Sequence, residues 1–231
     1  MTKKTFFVTG TDTGVGKTLM SAGLLLAAKE RGLSTAALKP VAAGCDVTAE
    51  GLRNDDALLL QSVITQSLAY EQINPIALEP AIAPHIAAQQ ARRVLSVDRL
   101  AGFCRGVLNQ ADFTLVEGAG GWRVPLNSAE TLADLARTLQ LPVILIVGIR
   151  LGCINHAMLT VEAIARDGLP LAGWVANIID PDMRCQQENI VSLQQRLAAP
   201  CLGVVPYLGQ GASPVQLKEF FSNTSAASLF Q

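Results

Sequence analysis

The sequence has few charged residues, and neither positive nor negative charge is in excess. Charged residues make up only 16% of its 231 residues, and 18 basic residues nearly balance 19 acidic ones, which gives a formal net charge of −1. Without a basic excess, the chain lacks the electrostatic footprint that nucleic acid or an acidic membrane surface requires. We therefore expect neither a nucleic-acid partner nor a membrane partner.

Metal-binding residue types and long apolar runs are scarce too. Only two histidines are present, and the five cysteines include no C-x-x-C pair, so we expect no zinc site and a reducing compartment. The longest apolar run, 141–149, has the length of a strand, well short of the ~18 residues of a membrane span. Residues 1–5 lead directly into a strand-like run and leave no room for a signal peptide. These features favour a cytoplasmic protein.

One glycine-rich stretch organises the rest of the chain. Residues 8–18 read VTGTDTGVGKT, follow the apolar residues Phe6 and Phe7, and precede a helical pattern that runs to Arg31. Strand, glycine-rich turn and helix are the context of a phosphate-binding loop, in which backbone N–H groups and the helix dipole hold an anion. Lys17 would then contact the β- and γ-phosphates, and Thr18 a magnesium ion.

The first glycine of this loop departs from the usual spacing. The pattern G-x-x-x-x-G-K-[ST] expects a glycine at Thr11, but the glycine is Gly10. A chance Gly-Lys-Thr at a helix start is the alternative interpretation. Because Gly14 and the triplet 16–18 stand correctly between strand and helix, we favour the phosphate-binding loop.

The remaining pattern alternates strands with helices. Further strands are predicted at residues 34–39, 113–117, 142–148, 171–177 and 200–206, and helices at 57–62, 86–92, 97–109, 131–139, 156–167 and 183–197. Residues 41–53 are expected to form a loop, and 73–84 an irregular segment. After Gly209 we expect one short helix near 215–221 and a frayed tail.

This alternation, without an internal repeat or a linker, predicts one α/β domain over residues 1–231. Its sheet would be doubly wound and mainly parallel, with helices on both faces, as in P-loop NTPases. Lys39 and Glu117 each end a predicted strand, and an acid that ends an apolar strand is the form of a Walker B magnesium element. Because right-handed crossovers bring such strand ends to one edge, we expect segments 10–18 and 148–155 to join them in one site.

Seven short motifs follow one another along the chain, namely Gly10–Thr18 (GTDTGVGKT), Lys39–Ala42 (KPVA), Glu50–Asn54 (EGLRN) with Asp56, Val116–Trp122 (VEGAGGW), Pro142–Leu145 (PVIL), Gly152–Ala157 (GCINHA) and Gly173–Asn177 (GWVAN). In this order they resemble the dethiobiotin synthetases of biotin biosynthesis. The resemblance implies a reaction of 7,8-diaminopelargonate with CO2 and MgATP. One amine becomes a carbamate, the carbamate oxygen attacks the γ-phosphate, and the second amine closes a cyclic urea and expels phosphate.

The resemblance also implies residue roles. Lys39 and Lys17 would be catalytic, and Thr18, Asp56 and Glu117 would hold Mg2+, although Asp56 taken alone would be interpreted as a helix cap. The ATP site would comprise Gly14, Val15, Gly16, Lys17, Thr18, Leu19, Asp56, Glu117, Gly118, Ala119, Gly120, Asn177, Ile178, Pro206, Tyr207 and Leu208. The diamine would contact Lys39, Ala43, Gly152, Cys153, Ile154 and Asn155.

A homodimer is implied as well, in which residues 152–155 of one subunit serve the diamine bound to the other. Two positions depart from the pattern of many members, because Gly14 replaces an acid and Ala43 replaces a hydroxyl residue. Both changes affect the expected affinities, so a different diamine is kept as an alternative substrate.

A partitioning or septum-positioning ATPase is a second alternative, but the signature lysine of that class would stand at Asp12. A cobyrinate-type amidoligase is a third, but the chain has no length left for its amidotransferase domain.

Overall fold

A six-stranded parallel sheet forms the centre of the computed structural model. The strands are β1 (Lys4–Gly10), β2 (Thr35–Leu38), β7 (Phe113–Glu117), β8 (Val143–Ile149), β9 (Leu171–Ile178) and β10 (Cys201–Val205). Their order is β10-β9-β8-β1-β7-β2, and all neighbours run parallel. The structure describes residues 3–209 and 211–230; the predicted domain and tail also include Met1, Thr2, Gln210 and Gln231, which lie outside the described residues.

The connections between these strands are helical. The helices are α1 (Lys17–Glu30), α2 (Asp55–Val63), α3 (Tyr70–Ile73), α4 (Pro84–Gln90), α5 (Val97–Leu108), α6 (Leu132–Leu139), α7 (Cys153–Arg166), α8 (Gln186–Arg196) and α9 (Pro214–Ser222), followed by a 3₁₀-helix (Ser225–Phe230). Among the described residues, every helix is too short or too polar to cross a membrane.

Alternate residues of the strands face opposite helical layers. Phe6 and Val8 belong to the same buried cluster as Leu24 of α1, whereas Phe7 between them is buried with Leu100 of α5. All seven residues of β8 are buried, which explains the unbroken apolar run in its sequence. The prediction of a doubly wound parallel sheet with helices on both faces is thereby confirmed.

Two segments hold more regular structure than the sequence suggested. The segment expected to be a loop contains β3 (Val41–Ala43) and an antiparallel hairpin of β4 (Asp46–Thr48) and β5 (Gly51–Arg53). β3 pairs in parallel with β6 (Ile76–Leu78), inside the segment expected to be irregular. Each of these strands has only three residues, too few for an alternating pattern to be recognised.

The C-terminal segment is packed against the rest of the fold. Leu217 and Phe221 of α9 are buried with residues of α1, and Phe230 lies 5.3 Å from Phe113 between ring centroids. The short helix expected near 215–221 is present as α9, and it is followed by a 3₁₀-helix over Ser225–Phe230. A few buried side chains, Leu217, Phe221, Ala226, Leu229 and Phe230, anchor this segment.

The contact between α1 and α9 depends on a glycine at position 23. A Cβ on Gly23 would lie 2.6 Å from the Cβ of Leu217 and 3.1 Å from the ring of Phe221. Because the Leu217 Cβ moves only with its backbone, we expect Gly23→Ala to lower the free energy of unfolding by ~1–3 kcal/mol. Urea unfolding measures this change.

Gly102 in α5 supplies a matched control. Leaving aside its chain neighbours and its own helix, no described atom lies within 4 Å of a Cβ built at this position. Since alanine favours a helix over glycine, Gly102→Ala should raise the free energy of unfolding by ~0.5–1 kcal/mol. Equal effects of the two substitutions would contradict the packing role of Gly23.

Candidate active site

The carboxyl ends of β1, β2 and β7 meet at one sheet edge, where a cavity of about 930 Å³ opens. Ten of the predicted site residues line it, namely Gly14, Gly16, Lys17, Thr18, Leu19, Lys39, Ala43, Asp56, Ala119 and Gly120. Glu117 lies beneath them and is fully buried. The predicted convergence of the first loop with Lys39 and Glu117 is therefore present in the fold.

The glycines shape the loop between β1 and α1. Gly14 and Gly16 have φ values of +74° and +85°, a region that favours glycine. A Cβ on Gly10 would lie 2.6 Å from Cγ2 of Val15, so the displaced first glycine lets the loop fold back over the end of β1. Gly16 is the N-cap of α1 and provides no side-chain cap, which leaves the first N–H groups of the helix available to an anion.

Lys17 is a buried cation with little compensation. Its Nζ donates to the carbonyl oxygen of Asp12 at 3.3 Å, and the residue is only 7% exposed. Burial and the nearby charge of Lys39 both lower the pKa of Lys17, against the opposing pull of Glu117. Its surroundings therefore favour the approach of an anion.

Glu117 is the most thoroughly bonded group of the site. Its Oε1 accepts hydrogen bonds from Thr18 Oγ1 at 2.7 Å and from Lys39 Nζ at 2.8 Å, and its Oε2 accepts one from Ser21 Oγ at 2.7 Å. Ser21 was missed by the sequence analysis. The signal that could have found it is its spacing, because it lies one helical turn after Thr18 and so on the same face of α1.

Lys39 joins the two carboxylates. Its Nζ donates to Asp56 Oδ2 at 2.9 Å, to Glu117 Oε1 at 2.8 Å and to the carbonyl oxygen of Gly118 at 3.4 Å. Burial lowers the pKa of Lys39, but the two carboxylates outweigh burial and raise it. Lys39 is therefore an ammonium at neutral pH, held between the buried carboxylate of Glu117 and the partly exposed carboxylate of Asp56.

Asp56 lies in the first turn of α2 without capping the helix. The N-cap is Asn54, whose Oδ1 accepts a hydrogen bond from the N–H of Ala57 at 3.3 Å. Burial raises the pKa of Asp56, but the contact with Lys39 outweighs burial and lowers it. The simple capping interpretation of Asp56 was therefore wrong, because the side chain points to Lys39 and Asn54 supplies the cap.

The oxygen atoms gathered here suit a hard cation. Thr18 and Lys39 both bond Glu117 Oε1, and Lys39 also bonds Asp56, so both carboxylates converge on one position. Among the described residues, no group of three or more His, Cys, Asp or Glu side chains forms a metal cage. A site with one or two carboxylates is what Mg2+ uses when phosphate oxygens and water complete its shell.

Of the residues expected around the nucleotide base, Asn177 contacts the loop. Asn177 lies near the carboxyl end of β9, at the same sheet edge. Its Nδ2 donates to the carbonyl oxygen of Val15 at 2.9 Å. Ile178 is the last residue of β9, and Pro206, Tyr207 and Leu208 follow β10. These residues, together with Val15 and Gly118, are not among the described residues that line the cavity.

Residues 152–155 stand apart from the cavity. They begin α7 after β8, at the correct sheet edge, but none of them lines the cavity within the described part of the chain. Earlier in the predicted segment, the N–H of Gly148 donates to Thr11 Oγ1 and Arg150 pairs with Asp12, so this part contacts the first loop, and the separation from the cavity lining concerns residues 152–155. The reason is the strand order, since β8 adjoins β1 on the side opposite β7 and β2.

A second wall of the cavity was missed by the sequence analysis. It contains Ala81, Ile82, Ala83, Pro84, Val124 and Pro125, and Gly209, Gly211 and Ala212 line another part. These are small or apolar residues without a motif, so the sequence offered no chemical signal for them. The cavity therefore has a charged side at the loop and an apolar side opposite.

Comparisons with known proteins decide the family. The family model described as an AAA domain matches residues 4–215. The ATP-dependent dethiobiotin synthetase BioD of Cellvibrio japonicus (strain Ueda107) is 68% identical over 213 residues, which cover 92% of this chain and 93% of the relative. The chain belongs to the dethiobiotin synthetase family. The BioD protein of Pseudomonas aeruginosa PAO1 is 64% identical over 204 residues, which cover 88% and 90%.

A solved structure shares the fold. The septum site-determining protein MinD of Pyrococcus horikoshii OT3, complexed with Mg-ADP, is similar with a TM-score of 0.58 and 17% identity, over 100% of this chain and 93% of that one. The sequence resemblance to dethiobiotin synthetase is thus confirmed, as is the expectation of an ATP-dependent ligase of the P-loop type. The roles of individual residues stay predictions.

The buried charge of Lys17 leads to a stability prediction. Because its pKa is lower in the folded chain than in the unfolded chain, folding disfavours the ammonium at neutral pH. We expect Lys17→Met to raise the free energy of unfolding of the nucleotide-free protein by ~0.5–2 kcal/mol. Urea unfolding tests this, with Lys29→Met at an exposed position of α1 as the control. A lower stability of Lys17→Met than of the control would contradict the prediction.

The pair of Asp56 and Lys39 leads to a pH prediction. The folded-state pKa of Asp56 is lowered, so the pair stabilises the fold above the unfolded pKa of ~4 and this contribution is lost as the pH falls through the folded value. Wild type should therefore exceed Asp56→Asn in stability at neutral pH, and the difference should narrow below pH ~4. Thermal unfolding across pH measures it, with the exposed neighbour Asp55→Asn as the control. A difference that is independent of pH would refute the assignment.

Proposed function

We propose that this chain, as a single ligase domain, converts 7,8-diaminopelargonate, CO2 and ATP to dethiobiotin, ADP and phosphate. The observation that carries the proposal is the buried ammonium of Lys39, held between Asp56 and Glu117 beside a phosphate-binding loop. A fixed cation at that position is suited to a reaction in which a carbamate oxygen attacks a γ-phosphate. Membership of the dethiobiotin synthetase family supports this choice of substrates.

ATP would be held by the loop and by the start of α1. Backbone N–H groups from Gly14 to Leu19 and the charge of Lys17 would bind the phosphates. Asn177 would contact the purine edge through its amide, and Ile178 with residues 206–208 would flank the base. The residues between Glu117 and Gly120 would approach the γ-phosphate closely.

Mg2+ would be held by Thr18, Asp56 and Glu117, whose oxygen atoms are ligands that this ion prefers. The bound ion supplies charge neutralisation on the transferred phosphate. The related fold of MinD was solved with Mg-ADP, which supports this assignment.

Phosphoryl transfer needs positioning and charge more than covalent help from the protein. Lys39 would therefore bridge the carbamate and the γ-phosphate and stabilise the negative charge of both.

The apolar side of the cavity would take the hydrocarbon chain of the diamine. Ala43 and the segment 81–84 form part of this side. The second amine would then lie near Lys39, where it closes the ring and expels phosphate from the carbamic–phosphoric anhydride. Ala43 offers no hydroxyl to the diamine, so only its backbone can donate or accept there.

A homodimer would complete this site. Residues 152–155 do not line the cavity of their own chain, and the start of α7 is suited to a carboxylate because of its free N–H groups. Leu151 beside it is 88% exposed and Leu159 on α7 is 57% exposed, as expected of a surface that a second copy covers. We place the enzyme in the cytoplasm.

One assay tests the reaction and its two lysines. The protein is supplied with MgATP, labelled bicarbonate and 7,8-diaminopelargonate, and acid-stable label in a cyclic urea is counted. We expect diamine-dependent label in wild type, and a loss of roughly 10²–10³-fold in kcat for Lys39→Ala, since a preorganised charge is removed. Lys17→Ala should also lose turnover, whereas Lys29→Ala, at an exposed position of α1, should not.

The outcomes separate the alternatives. A rate of ATP hydrolysis that does not depend on the diamine would favour a switch ATPase and overturn the proposal. Label that appears only with a longer or shorter diamine would keep the chemistry and change the substrate. Full activity of Lys39→Ala would remove that residue from the mechanism.

A further inference from the structure

A short helix outside the cavity bonds the backbone of Lys39 and the N-cap of the helix that carries Asp56. Helix α3 and the residue after it, Asn74, pack against β2 and α2, the two elements that carry these side chains. Neither Tyr70 nor Asn74 lines the cavity within the described part of the chain. Both are nevertheless buried, with exposed fractions of 7% and 2%.

Asn74 fixes the end of β2. Its Nδ2 donates to the carbonyl oxygen of Lys39 at 2.7 Å and to that of Ile76 at 3.1 Å, so both amide hydrogens are used. The N–H of Lys39 donates to the carbonyl oxygen of Ile73 at 2.8 Å. The backbone of Lys39 is therefore bonded on both sides by residues of one short segment.

Tyr70 fixes the start of α2. Its hydroxyl accepts a hydrogen bond from the N–H of Asn54 at 2.8 Å and donates to Asn74 Oδ1 at 3.0 Å. Asn54 is the N-cap of the helix whose first turn carries Asp56. The guanidinium of Arg53 lies 4.2 Å above the Tyr70 ring and holds the ring in place from the solvent side.

One chain of hydrogen bonds thus runs from the N-cap of α2 through the Tyr70 hydroxyl and Asn74 to the carbonyl of Lys39. We infer that Tyr70 and Asn74 are positioning residues, which set the placement of the Lys39 ammonium against the Asp56 carboxylate. This inference rests on the proposed function, because it assigns a purpose to the 2.9 Å contact between those two side chains. It names residues that touch neither nucleotide nor diamine.

The phosphate-binding loop is linked to this arrangement through Glu117, which bonds both Thr18 and Lys39, and not through Tyr70 or Asn74. It belongs to β1 and α1, and the contacts of Tyr70 and Asn74 reach Asn54, Lys39 and Ile76 instead. Displacing Lys39 relative to Asp56 should therefore impair the chemical step while ATP still binds. A purely structural role would lower stability without that selectivity.

Tyr70→Phe isolates the hydroxyl, because the ring remains to pack and to stack under Arg53. In the labelled-bicarbonate assay we expect kcat to fall about tenfold, which corresponds to ~1.4 kcal/mol of transition-state stabilisation. The affinity for ATP without Mg2+ should stay within about twofold of wild type, because the phosphate-binding loop is unchanged, so the loss should appear in kcat at saturating MgATP. Asn74→Asp, which replaces the donor to Lys39 by an acceptor, should lower kcat at least as much.

Thr65→Val is the matched control at the other end of β2. The Thr65 hydroxyl accepts a hydrogen bond from the N–H of Thr35 at 2.7 Å. Like Tyr70→Phe, this variant removes one hydroxyl that accepts a hydrogen bond from a backbone N–H, here at the first residue of β2. We expect a similar shift in thermal midpoint and an unchanged kcat. An equal loss of kcat in Thr65→Val, or an unchanged kcat in Tyr70→Phe, would overturn the inference.

A binding measurement separates this inference from the reaction assignment. If wild type forms no cyclic urea, the proposed function fails, and the positioning role is then judged on ADP affinity with and without Mg2+. We expect the gain in affinity that Mg2+ confers to be several-fold smaller in Tyr70→Phe than in wild type and Thr65→Val, because Asp56 is no longer held. An identical gain in all three proteins would refute the positioning role.

Discussion

The burial of the Glu117 carboxylate is the constraint on which the site depends. A fully buried anion is tolerated only where cations and hydrogen-bond donors replace its water. Here the donors are Thr18 and Ser21 on α1 and Lys39 at the end of β2, and Glu117 itself ends β7. One side chain therefore ties together the three elements that form the charged side of the cavity, so its geometry is set by the fold before any ligand arrives.

The second lysine shows the opposite situation. Lys39 has two carboxylates within hydrogen-bond distance, whereas Lys17 bonds, among the described residues, only the carbonyl oxygen of Asp12. The Asp12 carboxylate is turned to Arg150 instead. The protein thus satisfies one buried ammonium and leaves the other poorly compensated at the start of α1. A polyphosphate would supply the missing negative charge, which explains why the loop accepts a destabilising cation.

The sequence predicted the parts of the site that carry their own chemical signature. The glycines with Lys17 and Thr18 form a motif, and Lys39 and Glu117 stand at strand ends, so periodicity alone placed them together. Asp56 needed the family resemblance, because an acid at a helix start normally caps it. Ser21 was missed although it lies one helical turn after Thr18. Tyr70 and Asn74 were missed because each is an ordinary residue whose importance lies in buried hydrogen bonds to distant segments. Such bonds have no local pattern, and neither has the apolar wall at 81–84.

The order of the strands separates residues 152–155 from the cavity of their own chain. The loop after β1 lies between the ends of β7 and β2, which are at the cavity, and the end of β8 with the following segment 152–155. Rotation of side chains cannot bring residues 152–155 into the cavity of their own chain, because the order of the parallel strands fixes which strand ends are neighbours. The helix α7 starts at the same edge with an exposed leucine beside it. A surface so placed is available to a second copy, and this favours the composite site over a closed pocket within one subunit.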